Sequence, residues 1–501
     1  MTVQGGSEAA GGLTAAMFTE LWAALGGQSA DGTPAGSSDT GGSGTDVRFS
    51  GSGSLPSRFA VSDLAAATLG AVGAAVAELV TAAGGDRPTV EVDRPLATEW
   101  CRPTPRTVGG WASPGASTFT GAYGTRDGRW IRFQMNYARQ RAGTLATLGL
   151  DPSADGVDGP VVARAVLQWD GEELEAAVAT GTGAAALCRT AEEWAGHPQG
   201  MAVAAEPLVA LAYDRGTDER SPGWAPLPGR PLNGVRVLDL TRVLAGPTAT
   251  RYLAAYGAEV IRVDPPGFDE PRGTLVATFG KRCTALDLHT SEGLDRFMGL
   301  LSETDILVHG FRAGVIERFG LDERARARLR PGLIDVSLRA YGWTGPWTGR
   351  RGFDTLVEMA NGMAAAGMAW AGASAPVLMP IQALDFGTGH LAAASAIRGL
   401  THRLRTGQGS SWRLSLAATG SFLSSFRPEP GQRDLTDTKP PLDPLVRASA
   451  LGPIRLPRPA VTVAGAPLYW DRSGDGYGMS APRWTPGSHI SVRSRLYVLL
   501  I

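Results

Sequence analysis

Residues 232–267 read LNGVRVLDLTRVLAGPTATRYLAAYGAEVIRVDPPG, and the rest of the chain is organised around them. The β-branched and aliphatic run Val235 to Leu240 predicts a buried strand, with a polar turn following at Thr241–Arg242. Ala245, Gly246 and Pro247 open a helix, since a proline near the first helical position gives up no hydrogen bond. The helix runs through Leu253 and Tyr256 to a glycine cap at Gly257. A second strand, Glu259 to Val263, ends in Asp264-Pro265-Pro266-Gly267. Strand, helix and strand within about 30 residues make a βαβ unit with parallel strands and a right-handed crossover. A ligand is expected at the carboxyl ends of the strands, near Leu244 to Pro247 and Asp264. The glycines do not follow GxGxxG, so a dinucleotide cradle is not predicted.

With 501 residues the chain suits two to three domains around a large core. A formal net charge of −1 gives no general attraction for nucleic acid or an anionic membrane. Cys101, Cys188 and Cys283 are far apart and odd in number. They read as small buried apolar residues in a reducing compartment, not as a disulfide framework. Neither they nor the six scattered histidines have metal-ligand spacing, so no metal site is expected. The N-terminus lacks a basic region followed by an apolar core. Leu64 to Ala77 is apolar but stops at Glu78, too short to span a bilayer and better read as a buried helix. A soluble, cytoplasmic protein is expected.

Residues 1–55 hold one predicted helix, Leu13 to Leu25, and then a Gly/Ser/Thr-rich tract that reads as a flexible linker. Compact structure is expected to begin near Leu55. Within 56–117, Asp63 to Ala97 aligns without gaps to Asp385 to Thr419, at an offset of 322 (385 − 63). Both copies start with Asp, continue as an Ala-rich helix, turn, and end in a short alternating strand. This marks 56–117 as a partial repeat of a large domain. Residues 118–230 predict a small domain: a hairpin turning at Asp127-Gly128, helices at Val161 to Gln168 and Glu172 to Ala179, and a segment around His197. Leu227 to Arg230, between Pro226 and Pro231, marks its end. The large domain spans 231–486, with Gly452 to Pro486 as its closing segment, and the apolar tail at 487–501 is unplaced.

The opening stretch resembles the start of the family III CoA-transferases, the CaiB/BaiF family. Four further blocks carry the resemblance in order: GKRCTALDLHTSEG (280–293), TDILVHGFRAGVIERFGL (304–321), SLRAYGWTGPWTGRRGFDTLVEMANG (337–362) and ALDFGTGHLAAASAIRGLTHRLRTGQGSSWRLSL (383–416). The small domain is similar too, in its "DGRW" hairpin and its "EEW…HPQ" segment. The resemblance implies an α/β fold, with a Rossmann-like parallel sheet in the large domain and a smaller α+β domain. It implies a homodimer and CoA transfer from an acyl-CoA donor to a carboxylic acid, with coenzyme A as substrate and no tightly bound cofactor. The order of segments departs from the family, in which the first half of the large domain precedes the small one. A degenerate, non-catalytic CoA-binding relic is therefore one alternative.

By the same resemblance Asp354, in Gly352-Phe353-Asp354, is the nucleophile that attacks the thioester. An aspartate is ionised at neutral pH, and a covalent step splits one hard acyl transfer into two easier ones. Its position before the helical run Leu356 to Met363 also suits a helix N-cap. Beyond it the family's Gln-Ala and Ser-Gly are replaced by Glu358-Met359 and Asn361-Gly362. Lys281, Arg282, Phe311, Arg318 and Arg339 match positions that imply contacts with the CoA phosphates and nucleotide. Val243 and Ala245 match the backbone lining the adenine and thioester entrance, while Gly310 replaces a usual Asn. The second alternative, an α-methylacyl-CoA racemase, uses a histidine where Tyr341 stands, and tyrosine is a poor base at pH 7.

Overall fold

The structure is a computed structural model describing residues 12–26, 47–102, 106–108, 119–153, 157–213, 224–270, 274–449 and 452–486. The tract at 27–46 and the tail at 487–501 lie outside the described residues. An N-terminal module comprises α1 (Gly12–Ala24), β1 (Val47–Ser50), α2 (Val61–Ala82), β2 (Val90–Asp93), α3 (Arg94–Trp100) and β3 (Arg106–Thr107). The small domain follows with β4 (Ala122–Gly124), β5 (Trp130–Phe133), α4 (Ala138–Thr147), α5 (Gly159–Val166) and α6 (Gly171–Thr180). It closes with β6 (Ala185–Leu187), α7 (Ala191–Gly196), α8 (Pro198–Ala204) and β7 (Val209–Tyr213).

The large domain begins with β8 (Arg236–Leu240), α9 (Ala245–Ala255), β9 (Glu259–Asp264), α10 (Thr274–Thr278) and β10 (Arg282–Ala285). It continues with α11 (Ser291–Ser302), β11 (Ile306–His309), α12 (Glu323–Leu329) and β12 (Ile334–Arg339). Then come α13 (Asp354–Ala360), α14 (Met363–Ala371), α15 (Ala383–Thr406), β13 (Ser410–Ser415) and α16 (Leu416–Ser424), and β14 (Ile454–Arg455) and β15 (Val461–Val463) close the chain.

The large sheet has the order β10-β9-β8-β11-β12-β13-β7. Its first six strands are parallel, and β7 joins β13 antiparallel. Alternate residues face opposite ways, as strand geometry requires. Val237 and Val308 pack into the core shared with α9 and α15, and Leu238 and Leu307 into the one shared with α11. β8 is buried along its whole length, Arg236 and Asp239 included, and the apolar residues Val235, Val237, Leu238 and Leu240 are what made it legible. From β8 the chain moves outward to β9 and β10, then returns to place β11 on the other side of β8. The crevice outside the carboxyl ends of β8 and β11 is the ligand position that such a reversal creates.

Three differences from the sequence reading have physical causes. Compact structure begins at α1, not Leu55, because Met17, Phe18, Leu21 and Trp22 are buried, and Phe18 packs against Phe49 of β1. The repeat is larger than the aligned segment. β1–α2–β2–α3 with β15 antiparallel to β2 has the same arrangement as β12–α15–β13–α16 with β7 antiparallel to β13. The closing segment is therefore split: β15 completes the N-terminal sheet, whereas Trp470 and Trp484 are buried against the large domain. Each half thus takes its edge strand from elsewhere in the chain.

The repeated helices lie side by side. Leu64 packs over Gly387, Thr68 Oγ1 lies 2.9 Å from His390 Nδ1, and Arg398 Nε donates to Glu78 at 2.9 Å. These contacts descend both helices in the same direction, so α2 and α15 run parallel. Thr68 and His390 stand 322 residues apart, the repeat's own offset, so equivalent positions meet. The apolar run is longer than expected from sequence: α2 has 22 residues and is long and apolar enough to cross a bilayer, and it is its burial against this partner that agrees with a core helix.

Candidate active site

A cavity of about 630 Å³ opens at the carboxyl ends of β8, β9, β11 and β12. Its floor is the turn Thr241–Val243 and the start of α9. Gly246 is required there, since a Cβ would lie 2.3 Å from the Thr241 side chain. Val243 sits at φ 67, a left-handed conformation strained for a β-branched residue. Its N–H donates to Glu270 Oε1 at 3.2 Å, and Glu270 in turn accepts from the Tyr137 hydroxyl of the small domain.

The cavity wall from Arg339 to Phe353 is an irregular loop braced by the small domain. Gln199, fully buried at the start of α8, donates to the carbonyls of Tyr341 (2.7 Å) and Thr344 (2.9 Å) and accepts from the Trp347 N–H (2.6 Å). Glu206 accepts from the N–H groups of Trp343 (2.8 Å) and Thr344 (2.6 Å). Arg350 stacks on Trp347 at 3.9 Å and lies 3.1 Å from Glu175. The segment matched as "HPQ" in the sequence thus acts mechanically, as a brace on the loop that leads into Asp354.

Asp354 begins α13 and is 2 % exposed. Its side chain does not cap its own helix, as the N-cap alternative had it. Oδ2 accepts the Asp385 N–H at 2.9 Å, and the Leu384 N–H adds a second bond, so the carboxylate caps the start of α15. Oδ1 accepts no bond from an N–H or hydroxyl among the described residues. Burial pushes the acid up to about 6, against these hydrogen bonds. One turn along, Glu358 hydrogen-bonds Asp354 and accepts the Met379 N–H at 2.6 Å. Burial, and then the charge of Asp354, hold Glu358 well above the usual carboxylate range. Asp385 is raised by burial, and then by Asp354 and Glu270. Three carboxyls so close cannot all ionise. The arrangement favours one ionised Asp354 between neutral acids.

Of the residues expected from sequence, Val243, Ala245, Phe311 and Arg339 line the cavity, with Arg339 stacked on Trp343 at 4.0 Å. Lys281 does not. Its ammonium is fully buried, 2.9 Å from Asp239 Oδ2 and 3.0 Å from the Pro247 carbonyl, where desolvation lowers it to about 8. This corrects the expected phosphate contact: Lys281 is a strut beneath the first turn of α9. Arg282 is likewise engaged, by Glu259 at 2.9 Å and by the carbonyls of Ala481 and Arg483, outside the cavity lining. Arg318 stands exposed on the turn beside Phe319, a lining residue, and its charge reaches Arg312. The cations that do line the cavity include Arg139, Arg242, Arg312, Arg350 and Arg351. Sequence reasoning missed most of these, and Asp385 with them. The pair Arg350-Arg351 before Gly352 was the one local signal.

Residues 232–435 match the family described as CoA-transferase family III. The chain is 30% identical over 272 residues to a succinyl-CoA–L-malate CoA-transferase alpha subunit of Chloroflexus aurantiacus, covering 51% of this chain and 56% of the relative. It is 32% identical over 209 residues to a formyl-CoA:oxalate CoA-transferase of Afipia carboxidovorans, covering 39% and 48%. A solved structure of a hypothetical protein (Rv3272) from Mycobacterium tuberculosis shares 31% identity over 40% of this chain and 59% of that one, with a TM-score of 0.36. The chain spans about half the length of the curated relatives it matches.

Proposed function

We propose that the chain, whose residues 232–435 match CoA-transferase family III, moves CoA from an acyl-CoA donor to a carboxylic acid, with Asp354 as nucleophile. The observation that carries this reading is the setting of Asp354. Two backbone N–H groups and Glu358 hold its carboxylate, Oδ1 accepts no N–H or hydroxyl among the described residues, and an arginine-lined cavity lies against Phe353 and Asp385 on either side of it. Fixing the nucleophile removes orientational freedom that the reaction would otherwise have to lose. The arginines Arg139, Arg312, Arg339 and Arg351 suit the phosphates of CoA and the carboxylates of both acids. Arg318 remains a candidate for the nucleotide from its place at the rim.

In the proposed sequence the Asp354 carboxylate attacks the thioester carbonyl, the C–S bond breaks, and CoA leaves as thiolate with the bonding pair. The thiolate then attacks the Asp354 carbonyl of the mixed anhydride and releases the donor acid as carboxylate. The aspartyl-CoA thioester that remains reacts with the acceptor acid by the reverse steps. The reading carries with it a soluble cytoplasmic homodimer without a resident cofactor, by family resemblance. The racemase alternative is disfavoured by Tyr341, whose hydroxyl is buried without a partner among the described residues and is raised to about 12.

The test is chemical trapping. Hydroxylamine or borohydride added with acyl-CoA should modify Asp354 of the wild type and leave Asp354→Asn unlabelled, as read by peptide mass spectrometry. The same substitution should cut turnover by several orders of magnitude, on the scale of losing a nucleophile. A label on another residue, or substantial transfer by the variant, would overturn the assignment.

A further inference from the structure

The reaction as proposed uses Asp354 and leaves Asp385 idle, although Asp385 lines the cavity, as Asp264 and Asp287 do, and alone of the three is hydrogen-bonded to Asp354. It is the third residue of α15 and 5 % exposed, yet it lines the cavity wall. Its backbone N–H holds Asp354 Oδ2, so its backbone is fixed next to the nucleophile, and the charge of Asp354 reaches its carboxyl. No hydrogen bond acts on the Asp385 carboxyl among the described residues; only burial and the charges of Asp354 and Glu270 do.

The internal repeat supplies a control within the same molecule. Asp63 occupies the position of Asp385 in the N-terminal copy and is fully satisfied: Arg94 Nη2 donates to it at 2.9 Å, and the Thr14 hydroxyl at 2.7 Å. Arg94 begins α3 as Leu416 begins α16, so Leu416 stands where the neutralising arginine would be. Leu416 also lines the cavity. At equivalent places, then, one copy holds a neutralised structural aspartate. The other leaves a buried acid in the cavity wall with no arginine to neutralise it.

We propose that Asp385 is a second catalytic residue, a neutral carboxylic acid that donates its O–H to the oxyanion formed when Asp354 adds to the substrate carbonyl. This rests on the transferase reading. The addition places a negative charge on the former carbonyl oxygen, and a hydrogen bond from Asp385 stabilises it without transfer of the proton. When the tetrahedral intermediate collapses, the charge leaves with the thiolate or carboxylate, and Asp385 keeps its proton for the next addition. A donor preorganised in a site with little water serves developing charge far better than solvent does. The titratable groups whose charges reach Asp385 are Asp354, Glu270 and Tyr137; none is a cation, so its surroundings favour the protonated form.

The experiment compares Asp385→Ala and Asp385→Asn with wild type in steady-state transfer across pH, with acyl-CoA affinity measured by calorimetry. Alanine removes the donor and should lower kcat about 100-fold or more, with acyl-CoA affinity within a few fold of wild type. Asparagine keeps an N–H donor that does not titrate. It should recover most of the lost rate and abolish the alkaline fall that the wild type shows as Asp385 ionises. Asp385→Ala turning over within threefold of wild type, or an alkaline limb that survives in Asp385→Asn, would overturn the proposal while leaving Asp354 in place. A wild type that transfers no CoA removes both readings. Should Asp385→Ala not fold, the pH profile of Asp385→Asn decides alone.

Discussion

The two oxygens of Asp354 have different fates, and the chemistry follows from that difference. One is spent on the start of α15; the other accepts no N–H or hydroxyl among the described residues, with a neutral Glu358 bonded to the same carboxylate. Because burial raises the acid to about 6, the nucleophile is protonated below that pH. The acid limb of kcat/KM should therefore fall near pH 6, where an unperturbed aspartate would put it near 4. The sign for stability runs the other way. A carboxyl with a raised folded pKa stabilises the fold below its unfolded value and loses that contribution as pH rises towards 6. Asp354→Asn removes this cost, so its melting temperature should exceed that of wild type at pH 8 and approach it at pH 4. A variant less stable at both pH values would show that capping α15 outweighs burial of the charge. Lys281 makes the complementary case. Removing one partner of a buried pair leaves Asp239 uncompensated, at about 3–5 kcal/mol. Lys281→Ala should thus unfold many degrees earlier, and a folded variant with only a raised KM would contradict its role as a strut. From sequence Asp354 was legible because its motif is local. Its partner Asp385 lies 31 residues away and carried no local sign of the contact.

At the scale of elements, what the chain encoded locally was readable, and what neighbours impose was not. The βαβ unit follows from runs of apolar residues, and α9 and β9 fall where they were expected. The helix expected from Leu356 to Met363 is instead two, broken at Gly362. There φ is 91°, and a Cβ would lie 2.5 Å from the Ala191 N–H nitrogen of the small domain. That break comes from a tertiary contact, and no periodicity records it. The loop after β12 is similar: its shape is held by Gln199 and Glu206, both from the small domain. Gln199 uses both ends of its amide in three short bonds, and truncation leaves the buried Tyr341 carbonyl, and the part-buried one of Thr344, without their donor. The buried one costs about 1–3 kcal/mol. Gln199→Ala should therefore lower kcat through misplacement of Asp354 with little change in CoA affinity, since Gln199 is not part of the cavity lining. A pure KM effect would show that the brace governs binding instead.

Over the whole molecule, the two repeats exchange edge strands and share a core, so their stability should be common property. Self-comparison found the repeat's helix and strand, because those match residue by residue. It could not find β15 pairing with β2, since that contact joins opposite ends of the chain. Gly73 tests the consequence. It lies within α2, where replacing glycine with alanine normally stabilises a helix by about 1 kcal/mol. Here an added Cβ would stand 2.5 Å from Val90 Cγ1 of β2 and 2.9 Å from Val461 Cγ2 of β15. Valine methyls on adjacent strands are short and cannot swing aside, so overpacking, at about 1–3 kcal/mol, outweighs the gain in propensity. Gly73→Ala should therefore lower the melting temperature, although a helix scale predicts the opposite. The displaced α2 presses on α15, whose first turn supplies the N–H groups that hold Asp354. Calorimetry should then show one transition, shifted as a whole, with transferase activity lost along the same curve. Two separate transitions, with activity surviving the first, would mean that the N-terminal repeat is an appendage and that the catalytic half stands without it.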